Sequence, residues 1–319
     1  MSIKDFTFDL DTQLQAFEDR LREVVRSEVM FIQLIEEDLV TAGGKRVRPR
    51  LVFLASQALG GVPGAMELAL AVELLHSASL LHDDLIDDAE TRRGKEAAFR
   101  KYGNAVSVLS GDYLLSRLMA LLAQTGRMEL VAMFAEAARE LSEAEVLQFQ
   151  AAALGEHSLE NYERIIDGKT ASVMRLACEG AAVLGEAPPR EREALARFGQ
   201  LYGQAFQMRD DYLDLMGHPE VLGKPAGGDV REGKVTRITL RLLEAYPDEV
   251  GAIFKRRASQ AGDIARLQEL AVVSGAHVEI TQAIQERVEA AIAALKTLPP
   301  SPYREALATL ARRELVRLS

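Results

Sequence analysis

Two acidic runs are the residues best suited to chemistry: Asp83-Asp84-Leu85-Ile86-Asp87-Asp88 and, far downstream, Asp210-Asp211-Tyr212-Leu213-Asp214. Each lies in an apolar, helix-forming stretch. In each, two carboxylates stand four residues apart, Asp83 with Asp87 and Asp210 with Asp214. That spacing puts the pair on one side of a helix, one turn apart, where like charges repel. A strongly cationic group between them removes the conflict. Carboxylate oxygens are the preferred ligands of Mg²⁺, which takes one or two of them and fills its shell with water and phosphate oxygen. The expectation is a helical box with two acidic walls that holds a diphosphate through Mg²⁺. A solvated acidic helix end is the plainer alternative, and three features oppose it. Residues 74–81 read as buried rather than amphipathic, Arg92-Arg93 follow at once, and the acidic turn recurs after a second apolar run.

The elements that position these groups read as helices. Apolar residues recur at three- and four-residue spacing: Leu14, Phe17, Leu21, Val24 and Val25; Val131, Phe134, Ala138, Leu141 and Val146; Leu195, Phe198, Leu201 and Phe206. No alternating stretch is long enough for a sheet. Breaks fall at Gly43-Gly44, 60–64, Arg93-Gly94, Gly155, 185–189, 217–233 and 298–302. The loop at 217–233 follows the second acidic run and carries Lys224, Arg231 and Lys234, which suits closure over phosphate. Length alone fits about two domains of about 150 residues. None of the breaks looks like a linker, so one all-α helical domain over residues 1–319 is expected.

Bulk properties narrow the partners. The net charge of −10 argues against a general nucleic-acid binder, which needs a basic face. The lone Cys178 excludes an internal disulfide framework and a cysteine zinc site, and its small apolar neighbours predict a buried thiol in a reducing compartment. Met1-Ser2-Ile3-Lys4-Asp5 contains no apolar signal core. The apolar stretch 68–81 is shorter than the ~20 residues a spanning helix needs and includes Glu73 and His76. A cytoplasmic protein is expected, with peripheral membrane contact still compatible.

At these positions the chain resembles the trans-isoprenyl diphosphate synthases, the polyprenyl synthetase family. The first acidic run with Arg92-Arg93-Gly94 is similar to that family's first aspartate-rich motif, and Phe206-Gln207 with Asp210, Asp211 and Asp214 to its second. Gly43-Gly44-Lys45-Arg46-Val47-Arg48-Pro49, Lys169-Thr170, Gly223-Lys224-Pro225 and Gly233-Lys234-Val235-Thr236 also match family segments, in the family's order. One departure is Arg237-Ile238, where the family commonly has Pro at the second position after that Thr.

The resemblance implies an isoprenoid (terpene) synthase fold, a helical bundle around a central cavity. It implies an Mg²⁺-dependent prenyltransferase that condenses isopentenyl diphosphate with an allylic diphosphate by ionisation, condensation and elimination. By similarity, Asp83, Asp87 and Asp210 are the principal ligands of about two or three Mg²⁺ ions, supported by Asp84, Asp211 and Asp214. Arg92, Lys169, Lys224 and Lys234 neutralise the allylic diphosphate. Lys45, Arg48, His76 and Arg93 form the isopentenyl diphosphate site. Thr170 and Gln207 present oxygens to the carbocation, and with Lys169 make the catalytic set. Homodimerisation is expected from the family alone.

Ala78 and Ser79 precede Asp83 on its helix, where related short-chain enzymes often carry a large aromatic floor. Small side chains leave the tunnel open, with Leu75, Val72 or Phe149 as the next floors. Each helix turn spans about 5.4 Å, on the order of one isoprene unit, so an all-trans product of roughly 30 to 50 carbons, as in quinone side chains, is expected. Geranylgeranyl diphosphate synthesis and a subunit role in a heteromeric synthase are the alternatives. Terpene cyclisation is disfavoured by the Gly-Gly-Lys-Arg segment and the Arg pair, and the acidic runs lack the loop Gly and terminal Glu of an EF-hand.

Overall fold

The computed structural model describes residues 3–41, 45–86, 91–92, 95–217 and 225–316. The fold is all-α. Its helices are α1 (Ile3–Val25), α2 (Met30–Thr41), α3 (Val47–Ala58), α4 (Ala65–Ile86), α5 (Ala98–Tyr102), α6 (Asn104–Thr125), α7 (Met128–Leu154) and α8 (Leu159–Ile166). After a π-helical turn (Asp167–Ala171) come α9 (Ser172–Leu184), α10 (Pro189–Met216), α11 (Gly228–Glu232), α12 (Arg237–Ala245), α13 (Pro247–Lys255), α14 (Asp263–Val273), α15 (Ala276–Ala294) and α16 (Pro302–Val316). Among the described residues the strand pairing is a two-residue hairpin, Thr91–Arg92 with Lys95–Glu96.

The chain forms two compact units. The first comprises residues 1–138, 175–196 and 296–307. Its centre is α4, where Leu68, Ala69, Leu70, Ala71, Val72 and Leu74 are all fully buried, as expected of a helix that is apolar all round. Helix α4 packs on α6 and α3, and α1 packs on α3. Buried Arg46 enters α3 in a left-handed conformation (φ 44°). Its guanidinium donates to Glu18 of α1 at 2.6 and 3.1 Å and to Glu73 of α4 at 2.6 Å. Arg46 therefore pins the start of α3, the segment carrying Lys45 and Arg48, to two helices. Cys178 is buried, and burial pushes its thiol well above the ordinary range.

The second unit comprises residues 139–174, 197–295 and 308–319. Here α12 packs on α13, α14 and α15, and α8 continues into the π-turn. Arg287 of α15 donates to Gln204 of α10 at 2.9 Å and to Glu163 of α8 at 3.2 Å, and Glu163 also accepts from Arg237 of α12 at 3.0 Å. One half-buried carboxylate thus ties three helices together.

Two local expectations shift. The apolar row of α7 runs through Leu130, Phe134, Ala137, Ala144 and Ala151, so Val146, which periodicity placed on it, is 65% exposed. The expected loop 217–233 is partly helical, because α11 forms inside it. Among the described residues α6 is long and apolar enough to cross a membrane by length and composition, and 39% of its most apolar window is buried.

Candidate active site

The site in the second unit is built on the π-helical turn. Ser158 caps α8 by accepting from the Asn161 N–H at 3.1 Å. The helix then widens at Asp167–Ala171, a distortion that often marks functional positions. Two glycines make the turn possible. A Cβ on Gly168 would come within 2.4 Å of the Glu140 carbonyl of α7, and one on Gly203 of α10 within 2.5 Å of Ala171 Cα. Only glycine at these positions lets the turn press against both helices. Asp167 Oδ1 accepts from Gln200 at 2.7 Å and Gln204 at 2.6 Å, and the Ser172 hydroxyl donates to the Gly168 carbonyl at 2.6 Å.

That anchored turn presents Lys169 and Thr170. The Thr170 hydroxyl donates to Gln207 Oε1 at 2.7 Å, and the Gln207 amide donates to Asp211 Oδ1 at 2.7 Å. The other Asp211 oxygen accepts the Tyr162 hydroxyl at 2.8 Å. A chain of hydrogen bonds therefore runs from the π-turn to the second acidic run. Lys169 ion-pairs with Glu145 of α7 at 2.5 Å and donates to Gln148 at 3.2 Å. One cavity is lined by Gln148, Tyr162, Lys169, Gln207, Asp211 and Lys234.

Asp214 is buried one turn beyond Asp210. Its carboxylate accepts the Asp229 N–H at 2.9 Å, and its carbonyl accepts the Gly227 N–H at 2.7 Å. These bonds hold α11 against α10 and bring Asp229 into the same cavity. Burial pushes the Asp211 carboxyl up to about 6, with Gln207 and Tyr162 lowering it and Asp210 and Asp214 raising it further. Burial, then Asp211 and Asp214, raise Asp229 well above the carboxylate range, against the pull of Lys234.

This donor chemistry fits a hard divalent cation. Buried carboxyls that raise one another's pKa are relieved when a metal replaces the shared protons. Among the described residues no three acidic or histidine groups already converge as a metal cage. Such a cage is not required by Mg²⁺, which is usually held by one or two carboxylates plus phosphate and water.

In the first unit, the C-terminal end of α4 carries Asp83 and Asp84, the start of the first acidic run. Asp83 and Asp84 are buried, at 8% and 3% exposure. One to two turns earlier, Leu75 and Ala78 are buried, His76 and Ser79 are half-buried, and the Ser79 hydroxyl donates to the His76 carbonyl at 2.9 Å. His82 is engaged with α6, its Nε2 lying 3.2 Å from the Val108 carbonyl. Lys45 is exposed and Arg48 half-buried at the start of α3, and Arg92 lies in the hairpin. Phe149, on α7 of the second unit, is half-exposed beside Gln148. Asp87, Arg93 and Lys224 lie outside the described residues.

Sequence reasoning passed over Tyr162, Glu145, Asp229 and His157, which also lines the cavity and whose pKa burial lowers. Asp229 had a signal, an acidic residue inside the Gly-rich segment. Tyr162 and Glu145 had none, because their roles depend on how helices pair.

Comparison with known proteins gives a consistent picture. The family model described as Polyprenyl synthetase matches residues 30–271. The chain is 37% identical over 307 residues to an all-trans-nonaprenyl-diphosphate synthase (geranyl-diphosphate specific) of Rhodobacter capsulatus, covering 95% of this chain and 94% of that protein. It is 35% identical over 293 residues to the octaprenyl diphosphate synthase of Escherichia coli K12, covering 91% of each. The crystal structure of a polyprenyl synthase from Caulobacter crescentus CB15, complexed with calcium and isoprenyl diphosphate, superposes with a TM-score of 0.92 at 35% identity. That match covers 100% of this chain and 98% of the other.

Proposed function

The chain belongs to the polyprenyl synthetase family, and on that footing we propose that it is an all-trans polyprenyl diphosphate synthase. It joins isopentenyl diphosphate to an allylic diphosphate and repeats the addition to about 30 to 50 carbons, on the order of one unit per helix turn of tunnel. The observation that carries this reading is the hydrogen-bonded series Thr170, Gln207, Asp211 and Tyr162, set in one cavity with Lys169 and Lys234.

Mg²⁺, at about two or three ions, supplies when bound the positive charge that stabilises the leaving diphosphate. Asp83, Asp87 and Asp210 would hold it, with Asp84, Asp211 and Asp214 in support. Lys169, Lys224, Lys234 and Arg92 neutralise the outer diphosphate oxygens. Because Lys169 rests on Glu145, it reaches the substrate by exchanging one anion for another. Thr170 and Gln207 aim fixed oxygen dipoles at the allylic carbons as positive charge develops, a preorganised electrostatic effect. Lys45, Arg48, His76 and Arg93 take the diphosphate of isopentenyl diphosphate, whose double bond attacks the allylic centre. The proton then lost goes to the departing diphosphate.

Residues 1–319 act as one polyprenyl synthetase domain. The small side chains of Ala78 and Ser79 would admit a growing chain along this face of α4, with Leu75 and Phe149 as candidate limits. The exposed apolar residues Val108, Leu109 and Met119 of α6 support a homodimer. The enzyme is read as soluble and cytoplasmic, with peripheral membrane contact at product release. The test is diphosphate release from farnesyl diphosphate: it must require both isopentenyl diphosphate and Mg²⁺, and Asp211→Asn must suppress it. Release without isopentenyl diphosphate would mean a different reaction.

A further inference from the structure

A buried charge relay joins the C-terminal helix to the second acidic run. Arg209 on α10 is 2% exposed and Glu314 on α16 is 4% exposed. The guanidinium stacks over Phe206, 4.6 Å from the ring centroid, within the series Phe198, Tyr202 and Phe206 on one face of α10. It donates to Asp210 Oδ1, through Nε at 3.1 Å and also through a terminal nitrogen, and ion-pairs with Glu314 on its other side. Glu314 in turn accepts the Tyr202 hydroxyl at 3.2 Å. Both Arg209 contacts fall on Oδ1 of Asp210, whose side chain is 44% exposed, so Oδ2 is not committed to Arg209.

This arrangement sets the charge that Asp210 can offer a cation. Arg209 alone would neutralise Asp210, and a buried arginine has neither solvent nor a lower protonation state to turn to. A second carboxylate on Arg209 returns the group to a net negative charge. We propose that Glu314 is a positioning residue for metal binding: by balancing Arg209 from the C-terminal helix, it keeps Asp210 available as a metal ligand. The inference rests on the reading of Asp210 as a ligand and extends it to a helix remote in sequence from either acidic run.

The test titrates Mg²⁺ into the full-length protein with inorganic diphosphate as probe. Thermal-shift midpoints and direct calorimetry are read, so no turnover is needed. Glu314→Gln is expected to raise the Mg²⁺ concentration for half-saturation by roughly tenfold, since it leaves one uncompensated positive charge in contact with Asp210. The double variant Arg209→Met/Glu314→Gln removes both charges, keeps an acceptor for Tyr202, and is expected to return within about threefold of the parent. A folded Glu314→Gln protein with parental Mg²⁺ dependence overturns the proposal. So does a double variant that binds Mg²⁺ tenfold more weakly, and this arm decides alone if Glu314→Gln fails to fold. Asp210→Asn separates the two levels. If it loses Mg²⁺ affinity while Glu314→Gln does not, only the relay is wrong; if it keeps parental affinity, the ligand reading falls and the relay with it.

Discussion

The Tyr162 hydroxyl donates a 2.8 Å hydrogen bond to Asp211 Oδ2, and both side chains are buried. With Gln207 on the other oxygen, Tyr162 lowers the pKa of a carboxyl that burial raises to about 6. Tyr162→Phe removes one of the two bonds that favour the ionised form, so the Asp211 pKa rises. The acid limb of the activity profile is expected to move to higher pH, with the largest loss near pH 6 and recovery above it. A pH–rate profile of both proteins checks this. The loss of stability should be about 1 kcal/mol, the usual worth of one buried hydrogen bond.

Thr170 and Gln207 are linked at 2.7 Å, so each fixes the other's oxygen. Gln207→Leu is expected to lower kcat by roughly a hundredfold, in line with loss of one preorganised dipole. KM for isopentenyl diphosphate should change little, because that substrate is assigned to other residues. Steady-state kinetics separate the two, and an unchanged kcat would remove Gln207 from the catalytic set.

Ala78 is 1% exposed on α4, one helix turn and one residue before Asp83. Ala78→Phe is expected to shorten the product to about 20 carbons or fewer, since about one helix turn corresponds to one isoprene unit. Chromatography of the dephosphorylated products reads the length, and an unchanged length would take this helix face out of the tunnel.

The metal-free protein should show an unusual pH dependence. Asp211 is raised to about 6 and Asp229 is raised as well, so the folded state binds more protons than the unfolded chain as these groups titrate. Stability then falls as pH rises from about 4 to 6. Asp263, whose pKa Arg256 lowers, acts with the opposite sign below the ordinary carboxylate range, and His157, whose pKa burial lowers, acts with the opposite sign below the ordinary histidine value, against two raised carboxyls. In EDTA, Tm should drop across this window, and Mg²⁺ with diphosphate should flatten the drop. A Tm that climbs through the window without metal would contradict the electrostatics described.

Helix content, the helix breaks and the acidic runs were legible because each depends on short-range pattern. Leu68 through Val72 announce a buried helix by being an unbroken apolar run, and Pro189 marks the start of α10 because it fits a first helical turn. The π-turn at Asp167–Ala171 was not legible. It arises from Gly168 and Gly203 meeting α7 and Ala171, contacts between residues far apart in sequence. Arg46 shows the same limit from the other side. It sits between Lys45 and Arg48 in a basic segment, yet Glu18 and Glu73 make it a structural anchor. Asp229 was visible as a residue but not as a site member, because only the fold of α11 onto Asp214 brings it there.

Repeated Mg²⁺-dependent addition of isopentenyl units is the proposed reaction. Its most direct test is to incubate the purified protein with farnesyl diphosphate, labelled isopentenyl diphosphate and Mg²⁺, with a parallel EDTA arm, and to resolve the products by chain length. The expected result is a ladder ending at about 30 to 50 carbons, set by a tunnel of several helix turns, and no product in EDTA. A single product of about 20 carbons would contradict the open tunnel at Ala78 and Ser79, and label incorporation in EDTA would contradict the role given to the aspartates.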